Sequence, residues 1–284
     1  MPAVWPPPSS TPHRWPSTVQ PVEVRHRPRK RFGQHFLRDR SVIHRLVAAI
    51  APRPGEPLVE IGPGRGALTD ALLEAGAEVQ AIEIDRDLAA LLRLRHAHNP
   101  GFSLQEGDAL RFDYRQLQTS AARLRLVGNL PYNLSTPLLF ALLGQRDCIA
   151  DMHFMLQKEV VERLAAEPGC KAYGRLSVMV QYHCEVEALF AVPPTAFAPP
   201  PRVESAVVRL RPRAAAAPAA ADLGQFERLV NQCFQQRRKT LRNCLKALLP
   251  AAALAQLEMP LDARPDTLSV ADFVRLSNRI EARA

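Results

Sequence analysis

The stretch Gly128-Asn-Leu-Pro-Tyr-Asn-Leu-Ser-Thr-Pro137 gathers residues suited to chemistry on the exocyclic amine of a nucleobase. The lone pair of such a nitrogen is delocalised into the ring, so it is a poor nucleophile. A site assists it by accepting hydrogen bonds from its N–H groups. Asn129 offers a side-chain carbonyl for that purpose. Pro131 fixes the backbone so that a nearby carbonyl can be a second acceptor, and it adds no competing N–H. Tyr132 offers a flat face on which an extruded base can stack. The same residue types also describe an ordinary strand-to-helix turn with a half-buried tyrosine. The flanks place the stretch: the apolar run Leu124 to Val127 predicts a buried strand, and Leu138 to Leu143 predicts a helix. Asn129 and Tyr132 therefore lie on a loop at the carboxyl end of a strand, where open α/β sheets hold their ligands.

Further segments repeat this strand-to-loop pattern. Leu58 to Ile61 reads as a short strand, followed by the loop Gly62-Pro-Gly-Arg-Gly66 and a helix from Ala67 to Glu74. The glycines let backbone approach a ligand, and the helix N-terminus presents free N–H groups. The spacing is not that of the dinucleotide fingerprint. Glu60, just ahead of the loop, suits a cationic or amino-bearing ligand better than a pyrophosphate. Val79 to Glu83 is the next strand, ending in an acid about 20 residues past the loop, where a carboxylate takes ribose hydroxyls. Asp85 reads as the cap of a helix from Leu88 to Leu94. Phe102 to Asp108 is a third strand and turn, and Asp108 fits either an adenine-amino acceptor or a turn aspartate. Phe197, followed by three prolines, fits either a second stacking surface or a packed loop aromatic.

The remaining elements frame these loops. Val42 to Ile50 reads as a helix capped by Asp39 or Ser41, Met152 to Leu156 as a strand, and Gln157 to Leu164 and Leu176 to Tyr182 as helices. Val186 to Val192 and Ala206 to Arg211 read as strands, the latter with Arg209 and Arg211 outward. A small-residue linker, 214–221, leads to a helix predicted from the Asp222 cap through Leu249. Phe226, Leu229, Val230, Cys233, Phe234, Leu241, Leu245 and Leu248 share its apolar face. Arg237, Arg238, Lys239, Arg242 and Lys246 crowd one part of it. A last helix is predicted from Val270 to Ala282. The chain of 284 residues carries 37 Lys and Arg against 28 Asp and Glu, a net charge of +9, which points to a polyanionic partner such as nucleic acid. Its five cysteines are scattered and never in a C-x-x-C pair, as in a reducing compartment without structural zinc. His96 and His98 read as solvated, and no apolar run is long enough to span a bilayer. Residues 1–24, rich in Pro, Ser and Thr, read as a disordered extension, and Arg25 to Arg31 as a basic, phosphate-contacting arm.

Together, Phe32-Gly-Gln-His-Phe-Leu37, Val59-Glu-Ile-Gly-Pro-Gly64, Glu83, Gly107-Asp108, Gly128-Asn-Leu-Pro-Tyr132 and Phe197-Ala-Pro-Pro-Pro-Arg-Val-Glu-Ser205 resemble the ribosomal RNA adenine dimethyltransferases. Within that family the chain looks most like the bacterial branch acting on small-subunit (16S) RNA. Met152-His-Phe-Met-Leu-Gln-Lys-Glu-Val-Val161, Lys171-Ala-Tyr-Gly-Arg-Leu-Ser177 and Gln235-Gln-Arg-Arg-Lys-Thr-Leu-Arg242 strengthen the likeness. The resemblance implies an α/β fold, a Rossmann-like class I methyltransferase domain over 25–213, and a small helical RNA-contacting domain over 222–284. It implies S-adenosylmethionine as cofactor and two adjacent adenosines of the 3′-terminal hairpin of 16S rRNA as target. The partner would be the small ribosomal subunit, met by a cytoplasmic monomer. Carried over by position, Gln34, His35, Leu37, Gly62, Glu83, Asp108 and Asn129 would hold the cofactor. Asn129, Tyr132 and Phe197 would hold the adenine. The family usually has Asn where this chain has His35; a backbone contact survives that change, a side-chain amide contact does not. Alternative readings are a large-subunit adenine methyltransferase of the resistance type and a protein acting mainly in subunit assembly.

Overall fold

The computed structural model describes residues 34–118, 122–214, 218–246, 248–250, 254, 257 and 259–281. The extension at 1–24 and the basic arm at 25–31 lie outside the described residues.

A seven-stranded sheet carries the chain's chemistry. Its strands are β2 (Pro57–Ile61), β3 (Glu78–Glu83), β4 (Phe102–Glu106), β5 (Leu124–Asn129), β6 (Ile149–Gln157), β7 (Cys184–Val192) and β9 (Ser205–Pro212), in the order β4-β3-β2-β5-β6-β9-β7. The β4 to β6 portion is parallel, and β9 runs antiparallel between β6 and β7. A two-stranded ribbon of β1 (Phe36–Leu37) and β8 (Phe197–Ala198) sits apart from it. Successive side chains alternate faces, as a pleated strand requires. Val127, Met155 and Val207 meet α1 (Arg40–Ile50) and α2 (Ala67–Glu74) on one face. Leu126, Phe154 and Val208 meet α4 (Ser135–Leu143), α5 (Lys158–Leu164) and α6 (Arg175–His183) on the other.

Local chemistry sets the helix starts. Asp39 accepts from the Ser41 and Val42 N–H groups at 2.9 and 3.3 Å and caps α1. Asp85 accepts from Asp87 N–H at 3.1 Å and caps α3 (Arg86–Arg95). Asp222 accepts from Gln225 N–H at 3.1 Å and caps α7 (Leu223–Gln235).

The single helix predicted from Asp222 through Leu249 is two. After α7 the chain turns through residues 236–240, with Lys239 N–H donating to Gln236 O, and α8 (Leu241–Leu245) begins anew. The break is held from outside. The Leu241 and Arg242 N–H groups donate to Ala263 O and Leu261 O at 2.8 and 2.9 Å. Arg237 donates to Lys171 O at 2.8 Å and reaches Asp266 at 3.3 Å. Folding back lets Leu241, Cys244 and Leu245 share one core with Phe226, Leu229 and Val230, which a straight helix would not. His96 also departs from expectation. It is not solvated: its ring packs on Phe102 with centroids 4.6 Å apart, and Nε2 lies 3.1 Å from an Asp70 carboxylate oxygen.

The strand order reverses between β2 and β5, so the chain leaves these neighbours in opposite directions and opens a crevice at their carboxyl ends. Gly128 sits at that point. A Cβ there would stand 2.5 Å from the Ile61 carbonyl oxygen, which is rigid strand backbone. Gly128→Ala should therefore force β5 from β2 and lower stability by about 1–3 kcal/mol, the usual range for overpacking. Urea unfolding of the two proteins checks this.

Candidate active site

One pocket opens at the carboxyl ends of β2, β3 and β5. Gln34, His35, Leu37, Gly62, Glu83, Asp108, Asn129 and Tyr132 all line it, drawn from five separate segments of sequence. The glycine loop forms one wall. Gly64 has φ +57°, a left-handed conformation, and a Cβ would meet the Phe36 ring at 3.1 Å. The Arg65 guanidinium lies 4.7 Å from the centroid of that ring, closing the loop over β1.

Glu83, at the end of β3, is 5% exposed. One of its oxygens accepts from Gly64 N–H at 3.1 Å and the other from Asp85 N–H at 2.9 Å. These bonds fix the carboxylate plane and leave each oxygen a further lone pair. Burial raises the Glu83 pKa, and the backbone N–H groups of Asp85 and Gly64 oppose that shift. Glu60 on β2 is 2% exposed and accepts from the Thr69 hydroxyl at 2.6 Å. It has no basic partner among the described residues. Burial pushes its pKa up to about 8, against the Thr69 hydrogen bond and with help from the charges of Asp70 and Glu83. Asp108 serves its own turn, accepting from Leu110 N–H at 3.0 Å, and also lines the pocket. Asp85 does more than cap α3: its second oxygen accepts from the Gln34 amide at 3.2 Å, which ties β1's approach to the rim.

The loop after β5 is anchored at each step. Leu130 N–H donates to Met155 O at 3.1 Å. The Pro131 carbonyl accepts from Leu134 N–H at 3.0 Å and from the Ser135 hydroxyl at 3.1 Å, which starts α4. The Asn129 amide nitrogen donates to His35 O at 2.9 Å, and that assignment leaves the side-chain oxygen of Asn129 free to accept from a ligand. The Tyr132 hydroxyl is 2.7 Å from the Ser205 hydroxyl. The chemistry on offer is a pair of buried acids facing a positively charged or hydroxyl-bearing ligand, beside an acceptor and an aromatic face for a planar amine.

The sequence matches the family described as "Ribosomal RNA adenine dimethylase" over residues 25–282. The chain belongs to the ribosomal RNA adenine dimethylase family. It is 56% identical over 255 residues to "Ribosomal RNA small subunit methyltransferase A" of Pseudomonas aeruginosa, covering 90% of this chain and 95% of that protein. It is 53% identical over 276 residues to the protein of the same name from Chromohalobacter salexigens, covering 96% and 97%. Among solved structures it is similar to a dimethyladenosine transferase from Plasmodium falciparum, with TM-score 0.73, 25% identity, and 88% and 98% of the two chains covered. It is also similar to the 23S rRNA methyltransferase ErmE, with TM-score 0.67, 28% identity, and coverage of 87% and 99%.

One of the residues that the dimethylase resemblance assigned to the adenine stands elsewhere. Phe197 is 1% exposed and does not line the pocket. Its pairing with Leu37 in the β1–β8 ribbon turns it into the core with Val192, Ala196 and Val207, so in this arrangement it offers no second stacking face. In compensation the structure adds Ile84, 44% exposed yet on the pocket wall directly after Glu83. An apolar side chain left open at a strand end is suited to the flat face of a heterocycle. Its only sign in the sequence is its place after the strand-terminal acid.

The Glu60 carboxyl makes the pocket sensitive to pH. Its folded pKa lies above the ordinary value of 4.5, so the stability it confers is fully present below pH 4.5 and is lost as pH rises through about 8. The thermal midpoint of the protein without ligand should fall between about pH 4.5 and 8, and Glu60→Gln should flatten that fall. Melting curves across the pH range decide it.

Proposed function

We propose that this chain transfers methyl groups from S-adenosylmethionine to the N6 amines of two adjacent adenosines in the 3′-terminal hairpin of 16S rRNA, acting as a cytoplasmic monomer on the small ribosomal subunit. Family membership sets the reaction class, adenine dimethylation in ribosomal RNA. The preference for the small-subunit branch rests on identities of 56% and 53% to proteins named for that subunit, against 28% to the 23S enzyme. Among the described residues no helix is long and apolar enough to cross a membrane.

The observation that carries the cofactor assignment is the pair of buried carboxylates. Glu60 lacks a basic partner, and its enclosure favours the neutral acid. A ligand bearing ammonium and sulfonium charge would supply the missing countercharge. Glu83, held flat by two backbone N–H groups, would accept the ribose hydroxyls. Ile84 would cover the cofactor's adenine and Asp108 would accept from its amino group. When bound, the cofactor supplies an electrophilic methyl.

The chain's own part is reception of the target amine. Asn129 would accept one N–H through its side-chain oxygen, with a carbonyl of the same loop accepting the other. The Pro131 carbonyl is already occupied within the protein, so that second acceptor falls to its neighbours. Tyr132 would stack on the extruded base, a contact worth roughly 1–3 kcal/mol that offsets part of an extrusion penalty of a few kcal/mol. In-line alignment of amine and methyl does most of the work, and positioning of this kind supplies roughly 7–11 kcal/mol. No strong base is needed, because the nitrogen becomes acidic only as it is methylated. A singly methylated amine keeps one N–H, which permits a second round.

We assign phosphate contact to the helices of 222–284. Arg238 and Lys239 are exposed at the turn between α7 and α8, beside the exposed Arg242 and Lys246.

Labelled S-adenosylmethionine incubated with small subunits lacking the modification should yield N6,N6-dimethyladenosine in the 3′ hairpin, and large subunits should take no label. Label on large-subunit RNA would reassign the substrate. Asn129→Ala should abolish transfer while S-adenosylmethionine affinity stays within about tenfold; parallel loss of both would make Asn129 a cofactor ligand alone. The double change Arg238→Glu and Lys239→Glu should weaken subunit binding and reduce its salt dependence, read by filter binding between 50 and 200 mM salt, roughly the range over which such contacts dominate.

A further inference from the structure

We propose that His35 is a positioning residue that backs the Tyr132 ring, so that the target adenine is received on the opposite face of that ring. The inference rests on the reading of Tyr132 as the base platform. It follows from three contacts made by one residue.

The His35 and Tyr132 rings are stacked, with centroids 5.6 Å apart and planes inclined by 28°. One face of Tyr132 is therefore occupied by the protein itself. The Tyr132 hydroxyl is held at its edge by Ser205 at 2.7 Å. A ring fixed at its edge and backed on one face presents the other face in a single orientation, as a rigid platform must.

His35 is itself held. In the β1–β8 ribbon Phe36 pairs with Ala198 and Leu37 with Phe197, so the antiparallel register places His35 opposite Pro199. Proline has no N–H with which to continue the ladder. The histidine side chain continues it instead: Nδ1 lies 2.8 Å from the Pro199 carbonyl oxygen, a bond that Nδ1–H donates. With no N–H at 199 to claim it, the His35 carbonyl accepts the Asn129 amide at 2.9 Å. The imidazole thus points at the platform and the proline loop, and only the backbone of His35 reaches the acceptor residue. That geometry commits Nδ1 to the proline loop and one ring face to Tyr132, and leaves only the Nε2 lone pair of a residue that lines the same pocket.

Two substitutions separate the ring from the hydrogen bond. His35→Ala removes both, and His35→Phe keeps an aromatic ring without the donor. Each is assayed as the full chain on small subunits lacking the modification, with S-adenosylmethionine affinity measured by calorimetry and subunit affinity by filter binding. For His35→Ala we expect kcat to fall about fivefold, in line with the loss of one aromatic pair. Both affinities should stay within about twofold, because a brace for the platform touches neither cofactor nor phosphates. His35→Phe should recover most of the kcat lost in His35→Ala, because it restores a ring behind Tyr132 without the hydrogen bond to Pro199. A subunit carrying 2-aminopurine at the target position should show weaker quenching with His35→Ala than with the parent or His35→Phe.

Three results would overturn the proposal: kcat unchanged in His35→Ala, His35→Phe falling as far as His35→Ala, or S-adenosylmethionine affinity falling in step with kcat. Mere loss of folded protein would appear as fewer binding sites for S-adenosylmethionine, and His35→Phe then carries the test. Tyr132→Ala distinguishes the two levels of the argument. If it transfers normally, the platform reading fails and the brace fails with it. If it loses transfer while His35→Ala does not, the brace alone is wrong.

Discussion

The architecture depends on how closely β5 can approach β2. Those strands lie side by side at the place where the order of the sheet reverses, and their carboxyl ends must meet before the chain can diverge into the glycine loop on one side and the Asn129–Tyr132 loop on the other. The Ile61 carbonyl occupies the space where a side chain at 128 would begin. Glycine at that position is thus a requirement of contact, not of backbone freedom. Everything in the pocket inherits its place from that contact. Glu60 and Glu83 stand on β2 and β3, Asn129 ends β5, and the β1–β8 ribbon is tied to it through the Asn129 amide.

Electrostatics then decides what the pocket can hold. Burial raises the pKa of both carboxyl groups in this crevice, and the charges of Asp70 and Glu83 raise that of Glu60 further. The protein solves half of this internally. Glu83 is neutralised in part by backbone N–H dipoles, which cost no flexible side chain. Glu60 receives one hydroxyl only. The unequal treatment distinguishes the two acids: one is a fixed acceptor pair, the other a buried carboxyl without a basic partner among the described residues. A neutral ligand with hydroxyl donors would gain from the first and little from the second, an anionic one would be repelled by both, and a cationic one would gain from both.

Much of this was legible in the residues. Strand ends, the glycine loop, the caps at Asp39, Asp85 and Asp222, and the loop of Asn129 and Tyr132 are local signals, and local signals survive folding. Where the fold goes beyond the local pattern, the cause is tertiary partners distant in sequence. No glycine or proline marks the break between α7 and α8; carbonyls from Leu261 and Ala263 and a side chain reaching Lys171 and Asp266 make it, so the apolar period runs through it undisturbed. His96 looked solvated because Asp70 and Phe102, which enclose it, come from other elements. Phe197 has the chemistry of a stacking residue, but a two-residue pairing with β1 settles which way it faces, and pairing register at that scale leaves no pattern in sequence.

The helices beyond 222 raise a mechanical question, because a phosphate held far from the pocket orients a base only if the intervening protein is stiff. Helix α6 supplies the stiffness by belonging to two cores. Leu176 and Val180 pack under the sheet, whereas Val178, Met179 and Tyr182 pack with Phe226, Phe273 and Leu276 of the C-terminal helices. Tyr182 adds a ring contact to Phe226 at 4.6 Å and a hydrogen bond from Ala220 N–H to its hydroxyl at 3.1 Å. Arg237 crosses to the 170–171 loop just before α6, so the first cation of the basic turn is used as a structural tie while Arg238 and Lys239 remain exposed. A single helix shared between cores cannot rotate without breaking both, and packed interiors resist such partial movement. The distance from basic turn to pocket is therefore a property of the fold, so a polyanion gripped at the turn, as proposed above, would meet Asn129 and Tyr132 at a fixed reach.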